Sequence, residues 1–543
     1  MLAQKEFNIS NSALALDGSS LSISKIYHYL ESSSSHTVLI DDRSRIKMQE
    51  SVAVLHEKLQ TNQVIYGVNT RYGAMAREKR SDYSELQTNL ILNHHAGSGK
   101  PISIEDAKLT MLLRVNSLCK GVSGIRPEVL ERYAYLLNHD ITPEIREHGS
   151  IGASGDLVPL SAAAGAALGL SDEFRLHYRG QWHPAKTFIQ KLGLSPIKLG
   201  PKEGLALING TSCHTAIAIN NIIRFIKLLD SSLRVHTLIA EIMESDMRPF
   251  SEFVQNQRPH PGQKAIARIM RTLLHDSEIV RHCPESHHHK IDDKLVQQRY
   301  SIRCIPQFLG PIYEGCKTIL DTLEIEANST SDNPMIDTPN NSIYHGGNFL
   351  GQHAALAMDQ LRVYSAMLAK HNDAQIAMLV EPAFNDGLPA SLYDDETPEA
   401  IVGIKPLQIN SNSLVPIIEK LADPISTRFP IYAEQFNQNL NSQAFNASML
   451  TRESLMLLEE QLSITMIIAN QAKAMKSKNC KPMNWSSSSL SLSDHLNSIA
   501  KVQTDSEQHN SFQTIIENTT HLLREGNLAN SKFVHCSKLF VSS

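Results

Sequence analysis

From Thr211 to Arg248 the chain reads TSCHTAIAINNIIRFIKLLDSSLRVHTLIAEIMESDMR, with no glycine or proline to interrupt it. Its apolar residues Ile219, Ile222, Ile223, Ile226, Leu229 and Leu233 recur at three- and four-residue intervals. That period lines up one face of an amphipathic α-helix, whereas a half-buried strand would alternate at every second residue. Two further intervals lack both helix breakers, His353–Glu381 and Ile431–Lys481, and predict two more long helices. The last of them carries Leu455, Leu458, Leu462, Met466 and Ile467, a pattern apolar enough for the inside of a bundle. Helices of this length exceed the usual globular helix and must run side by side to cover one another. Strand-like alternation is sparse, so the expectation is an all-α fold.

Between the helices lie segments rich in glycine and proline: Tyr66–Gly73, Gly149–Pro159, Arg258–Gln263, Gln297–Pro311 and His345–Gly351. They are read as loops, and loops on a rigid scaffold are the usual carriers of chemistry. Three regions follow. Residues 1–200 form an N-terminal domain, 201–475 a central long-helix bundle, and 476–543 a polar C-terminal appendage, where the serine run Ser486–Ser489 is expected to be peripheral.

The chain has 543 residues, 41% of them hydrophobic and 20% charged, which suits a large buried core. A formal charge of -5 offers no basic excess for nucleic acid or an anionic membrane. The N-terminal residues lack a secretory pattern, and no apolar run reaches about 18 residues, so no transmembrane helix is expected. Seven scattered cysteines without a CxxC pair argue against disulfides or zinc and for a reducing, cytoplasmic setting. The cluster His287-His288-His289, beside Cys283, Glu285 and Lys290, fits no zinc spacing and is read as solvated loop; no metal is expected.

Chemistry concentrates at Gly149-Ser150-Ile151-Gly152-Ala153-Ser154-Gly155-Asp156-Leu157-Val158-Pro159-Leu160. A serine among glycines suggests the nucleophile elbow G-x-S-x-G of a hydrolase. Asp156 occupies the place where Ser154 needs a glycine, and His148 the place where Ser150 needs one, so both serines fail that pattern. The small residues allow something else. Gly155 has no side chain, and its backbone nitrogen can bend back onto the Ala153 carbonyl. Ring closure and loss of the Ser154 hydroxyl as water would leave an exocyclic methylidene, an electrophile that no ordinary side chain supplies. The adjacent Asp156 is placed to assist proton transfer.

The run resembles the A-S-G-D-L-x-P-L signature of the aromatic amino acid lyase family, which makes a 4-methylidene-imidazol-5-one group from Ala153-Ser154-Gly155 at the matching positions. Other segments match in the family's order. Tyr66-Gly67-Val68-Asn69-Thr70-Arg71-Tyr72-Gly73 resembles Y-G-x-x-T-G-F-G, whose tyrosine is the β-proton base; Arg71 and Tyr72 depart from it. A free phenol has a pKa near 10, so the site is expected to stabilise the Tyr66 phenolate. Lys202–Thr211 resembles K-E-G-L-A-L-x-N-G-T and implies that Asn209 holds the prosthetic group and the substrate carboxylate region. Gln297–Gln307 resembles Q-D-x-Y-S-x-R-x-x-P-Q, with Gln298 in place of an acid. By that match Arg303 is the carboxylate clamp, suited by its planar fork, with catalytic Tyr300 and Gln297 lining the same pocket. Arg258–Gln263, Glu326–Pro334 and His345–Gln352 also match, and Phe349 packs near the prosthetic group in relatives. The resemblance implies a long antiparallel, elongated helical bundle of fumarase/aspartase-like lyase architecture, and a homotetramer with shared active sites.

Substrate choice is divided. The family's selectivity pair falls on Asn93-His94, where histidine lyases show Ser-His, one group of tyrosine lyases His-Leu and plant phenylalanine lyases Phe-Leu. His94 therefore favours a polar ring. Glu434–Ser442 resembles the E-Q-x-N-Q-x-x-N-S of phenylalanine and tyrosine lyases, with Gln438 where histidine lyases carry glutamate, and Gln352 agrees. Read without the family, Glu434 and Gln438 would be an i,i+4 helix pair. Tyrosine or phenylalanine is favoured over histidine. The expected reaction is elimination of ammonia to an arylacrylate. The alternatives are a histidine lyase giving urocanate, an aromatic 2,3-aminomutase using the same groups, and a non-catalytic helical scaffold. The fumarase–aspartase signature G-S-S-x-M-P-x-K-x-N is not found.

Overall fold

A computed structural model describes residues 13–31, 36–77, 81–280, 297–393, 403–479, 484–501 and 511–525. The long helices are Ser212–Ile242, Gln352–Val380 and Ala444–Asn479, with Ile305–Ala327 beside them. All six apolar markers of the 212–242 helix are buried. The amphipathic expectation is too weak, because this helix is buried on nearly every side. The 104–118, 305–327, 352–380, 444–479 and 487–501 helices all pack on it, leaving only Asn220, Arg224 and Lys227 part-exposed along one strip.

The contacts also set direction. Asn221 donates to the Ser448 carbonyl at 2.8 Å, His236 bonds Asn372 at 2.9 Å, and Asn372 donates to Gln461 at 3.0 Å. Residue numbers rise together along all three long helices, which therefore run parallel. Antiparallel packing belongs to their shorter neighbours. Asn220 meets Asp106 while Thr110 meets Cys213, and Ser411 meets Asp373 while Arg362 donates to the Leu421 carbonyl. Each long helix is followed by a return segment before the next begins, which is why the three share one direction.

Two local expectations differ. Gln297–Pro311 is not a loop: Tyr300–Arg303 is one helical turn and Ile305–Ala327 a long helix. Pro306 lies in that helix's first turn, where its missing N–H costs nothing. Conversely, the third long helix begins only at Ala444. Residues 431–443 are irregular, with positive φ at Glu434, Gln435, Phe436 and Gln443. Glu434 and Gln438 are therefore not a helix pair.

The serine run is not peripheral. Ser486, Ser488 and Ser489 are buried, and the carboxylate of fully buried Glu241 accepts from Ser486 N (2.7 Å), Ser486 Oγ (2.9 Å) and Ser489 Oγ. A buried carboxylate needs such donors, and Ser486 and Ser489 supply them to Glu241 at the start of the Ser487–Lys501 helix. Small two- and three-stranded sheets, such as the parallel pair Ala13–Leu16 with Thr37–Ile40, edge the bundle. No described helix is long and apolar enough to cross a membrane.

Candidate active site

The Ala153-Ser154-Gly155 turn lies between two segments that leave it no slack. On one side, the Gly152 carbonyl accepts from Ser442 N (3.1 Å) and Ser442 Oγ (3.0 Å). On the other, Asp156 N–H donates to the Gly210 carbonyl at 2.7 Å. Gly155 has φ +67°, and a Cβ there would meet the Gly210 oxygen at 2.1 Å, so both backbone conformation and space require glycine. Ala153 and Gly155 are buried, whereas Ser154 is part-exposed to a cavity of ≈ 900 Å³.

That cavity brings together Tyr66, Asn93, His94, Ala153, Ser154, Asn209, Phe349, Glu434 and Gln438. Gln438 Nε2 donates to Ser154 Oγ at 3.1 Å. Asn209 ends the Glu203–Ile208 helix; its Nδ2 donates to the Asn333 carbonyl at 3.0 Å, while its buried Oδ1 has no partner. Arg114, fully buried, donates to the Ala206 carbonyl and to the Asn209 carbonyl at 3.1 Å, fixing that helix end from below.

The inner loop is tied down by Gln87. Its amide donates to the Gly67 carbonyl (2.9 Å) and to the Tyr72 hydroxyl (3.1 Å) and accepts from Leu205 N (2.8 Å). The hydroxyl of Tyr72 thus has a partner that a phenylalanine would leave unused. Arg71 lines the cavity and donates to Met75 Sδ at 3.8 Å. Tyr66 accepts from Gly73 N–H at 2.8 Å, and Glu434 Oε1 accepts from Ala74 N–H at 3.0 Å. Burial pushes the Tyr66 phenol above its ordinary range; the Gly73 N–H opposes this and the nearby Glu434 charge adds to it. Among the described residues the net effect on Tyr66 is upward, against the phenolate stabilisation expected from the sequence. His94 Nδ1 bonds the Leu90 carbonyl at 2.8 Å. Because a carbonyl only accepts, Nδ1 carries the proton and Nε2 is left as an acceptor in the neutral ring.

Gln297, Tyr300 and Arg303 are not in this cavity. His371 Nε2 and Gln375 Nε2 both bond the Ser301 carbonyl, at 2.7 and 2.9 Å, while Gly351 at the other end of that helix packs on His214 beside the prosthetic-group turn. With a rise of 1.5 Å per residue, Gly351 to His371 spans about 30 Å. Tyr300 is 71% exposed, and the Arg303 guanidinium lies over its ring, 4.6 Å from the centroid. The expectation that these three line the pocket fails for a single chain, because their turn is docked at the far end of the bundle.

The group implied by the sequence fits the residues present. No Cβ can be placed at Gly155, an orphaned amide oxygen of Asn209 lines the same cavity, and Ser154 faces open space. Sequence reading missed Gln87, Arg114 and His214, which act through burial and long-range contacts that leave no local pattern. No cluster of His, Cys, Asp and Glu able to hold a metal occurs among the described residues, and His287–His289 lie outside them.

The sequence model of a family described as aromatic amino acid lyase matches residues 21–497. A phenylalanine ammonia-lyase of Nostoc punctiforme is 42% identical over 80% of this chain and 77% of its own. A histidine ammonia-lyase of Myxococcus xanthus is 34% identical over 86% of this chain and 89% of its own. The solved structure of the Pantoea agglomerans phenylalanine aminomutase superposes with a TM-score of 0.85 at 27% identity, covering 94% of this chain and 98% of that one.

Proposed function

Since the chain belongs to the aromatic amino acid lyase family and is a carbon–nitrogen lyase, we propose that it eliminates ammonia from tyrosine or phenylalanine to give an arylacrylate. The observation that carries this reading is the cavity that joins Ser154, Tyr66, Asn209 and Gln438 around a glycine-tight turn. The methylidene-imidazolone formed from Ala153-Ser154-Gly155 supplies an electrophilic carbon for the substrate amine.

The chain's own residues do the rest. Tyr66 takes the β-proton on its phenolic oxygen, with Gly73 N–H stabilising the anion. Burial and the Glu434 charge raise this base, and the Gly73 N–H opposes them. Arg303 and Tyr300 serve the cavity of another copy, which the exposed Tyr300 and the distant placement of their turn support. On this reading the working enzyme is a homotetramer with shared sites, and Arg303 clamps the carboxylate bidentately. The acceptor Nε2 of His94 suits a phenolic O–H, and the neutral amide of Gln438 offers no anionic partner to an imidazolium.

Separate incubation with tyrosine, phenylalanine and histidine, followed by absorbance of the unsaturated product and chromatography for β-amino acids, tests the proposal. Coumarate or cinnamate is expected. Urocanate alone would overturn the substrate ranking, and a β-amino acid as main product would identify an aminomutase instead. Purified protein without the prosthetic group's near-UV absorbance would favour a non-catalytic scaffold.

A further inference from the structure

His214 stands three residues beyond Thr211, the last residue of the N-G-T segment, and has no role in the reading above. It is fully buried in the first turn of the 212–242 helix. Its Nδ1 lies 2.9 Å from Asp156 Oδ2, and its backbone N–H donates to the same oxygen at 2.8 Å. The other Asp156 oxygen accepts from Ser150 Oγ at 2.9 Å. That hydroxyl lies 3.3 Å from the Gly155 carbonyl and accepts from Gly152 N–H at 3.2 Å. A continuous path therefore runs from the imidazole through Asp156 and Ser150 to the backbone of the tripeptide. The ring's seat is specific to it: a Cβ on Gly351 would come within 2.3 Å of His214 Nε2.

We infer that His214 is a positioning residue for formation of the prosthetic group, holding the Asp156 carboxylate aimed at Ser150 and the tripeptide. This rests on reading Ala153-Ser154-Gly155 as the precursor. In ring closure the Gly155 nitrogen bonds to the Ala153 carbonyl carbon and gives up its proton, while the carbonyl oxygen gains one. That oxygen then leaves as water with the Ser154 N–H proton, forming the C=N bond. The Ser154 Cα proton and hydroxyl leave as a second water, forming the methylidene. No oxidant or reductant is needed. Each step moves a proton, and the Asp156 carboxylate is the adjacent group able to relay it. Burial alone would drive the His214 imidazole towards neutrality, but the Asp156 carboxylate, and more weakly Glu326, raise its pKa, so the ring is suited to holding a proton against Asp156. The first-turn amides of the long helix further favour the anion there.

The readouts are intact mass, which falls by two water molecules on maturation, and near-UV absorbance, both followed during synthesis. His214→Asn places an amide donor about where Nδ1 lies, whereas His214→Leu conserves bulk without a donor. Wild type and H214N are expected to mature fully, and H214L about 10- to 100-fold more slowly, as for loss of a close polar contact to a charged group. A purely packing role predicts the reverse order. H214L maturing at the wild-type rate, or folded H214N failing while H214L matures, overturns the inference. If H214L does not fold, His214→Ala synthesised with added imidazole replaces it: recovery of the mass loss supports the inference and no recovery overturns it. Wild-type protein that never loses the two waters overturns the precursor reading, and the role of His214 with it.

Discussion

Replacing Gly155 by alanine separates the two demands that the turn makes on that position. An L-residue at φ +67° costs about 1–2 kcal/mol. The new Cβ would lie 2.1 Å from the Gly210 oxygen and 2.4 Å from its carbon, backbone atoms that cannot rotate away. Moving them breaks the 2.7 Å bond from Asp156 N–H, worth about 1–3 kcal/mol when the partners stay buried. Repacking round the extra methyl costs about 1–3 kcal/mol more. Gly155→Ala is therefore expected to lose about 3–8 kcal/mol. The control is Gly180→Ala: Gly180 has φ +77° but nothing within 4 Å of its Cβ position, so only the conformational cost of about 1–2 kcal/mol remains. Urea unfolding at one protein concentration compares the two variants, with near-UV absorbance read on the same samples. A G155A variant within about 1 kcal/mol of G180A would show that the clash has no energetic weight. A G155A variant carrying the full absorbance of the mature group would refute the requirement for glycine equally.

Glu434→Gln keeps an acceptor for Ala74 N–H but removes the charge that helps to raise Tyr66. The rising limb of the kcat/KM–pH profile should move to lower pH; an unmoved or higher limb would exclude Tyr66 as the titrating base. His371 is held neutral, pushed down by burial to about 4, with the Ser301 carbonyl opposing. A folded value below the ordinary 6.5 means that its contribution is complete above pH 6.5 and is lost as pH falls towards about 4, for about 3 kcal/mol in all. His371→Gln should flatten that slope in urea titrations at pH 7 and pH 5, and an unchanged slope would contradict the assignment. Glu241→Ala leaves three buried donors around Ser486 and Ser489 without an acceptor, at a cost of about 3 kcal/mol or more. Faster proteolysis around the 487–501 helix is expected, and wild-type resistance would show that the carboxylate does not anchor it.

The 352–380 helix is legible within one residue at both ends, because Gly351 and Pro382 bracket it, and the 212–242 helix is legible at its start; it ends at Ile242, six residues short of the expected Arg248, where no glycine or proline marks the stop. The 444–479 helix was placed too early, since residues 431–443 contain neither breaker yet are held irregular by contacts to the Gly152 turn and to Ala74. Gln297–Pro311 differs the other way: its prolines suggest a loop, but Pro306 lies in the first turn, where proline is compatible with a helix, and the helix continues through Pro311. The serine run looked solvated because composition does not reveal Glu241, far away in sequence, as its partner.

The sequence by itself determined the all-α class, the family and the chemical identity of the turn, because those depend on period and on contiguous residue types. Only the tertiary structure decided that the three longest helices run parallel and that His214 and Ser150 converge on Asp156. It also decided that Tyr300 and Arg303 stand at the opposite end of the bundle from Ser154. Such facts depend on which distant backbones approach one another, and that is settled by burying whole helix faces together. The Ala153-Ser154-Gly155 triplet names a reaction; the rigid contacts of Gly210, Ser442 and Asp156 around it are what put its atoms within reach of one another.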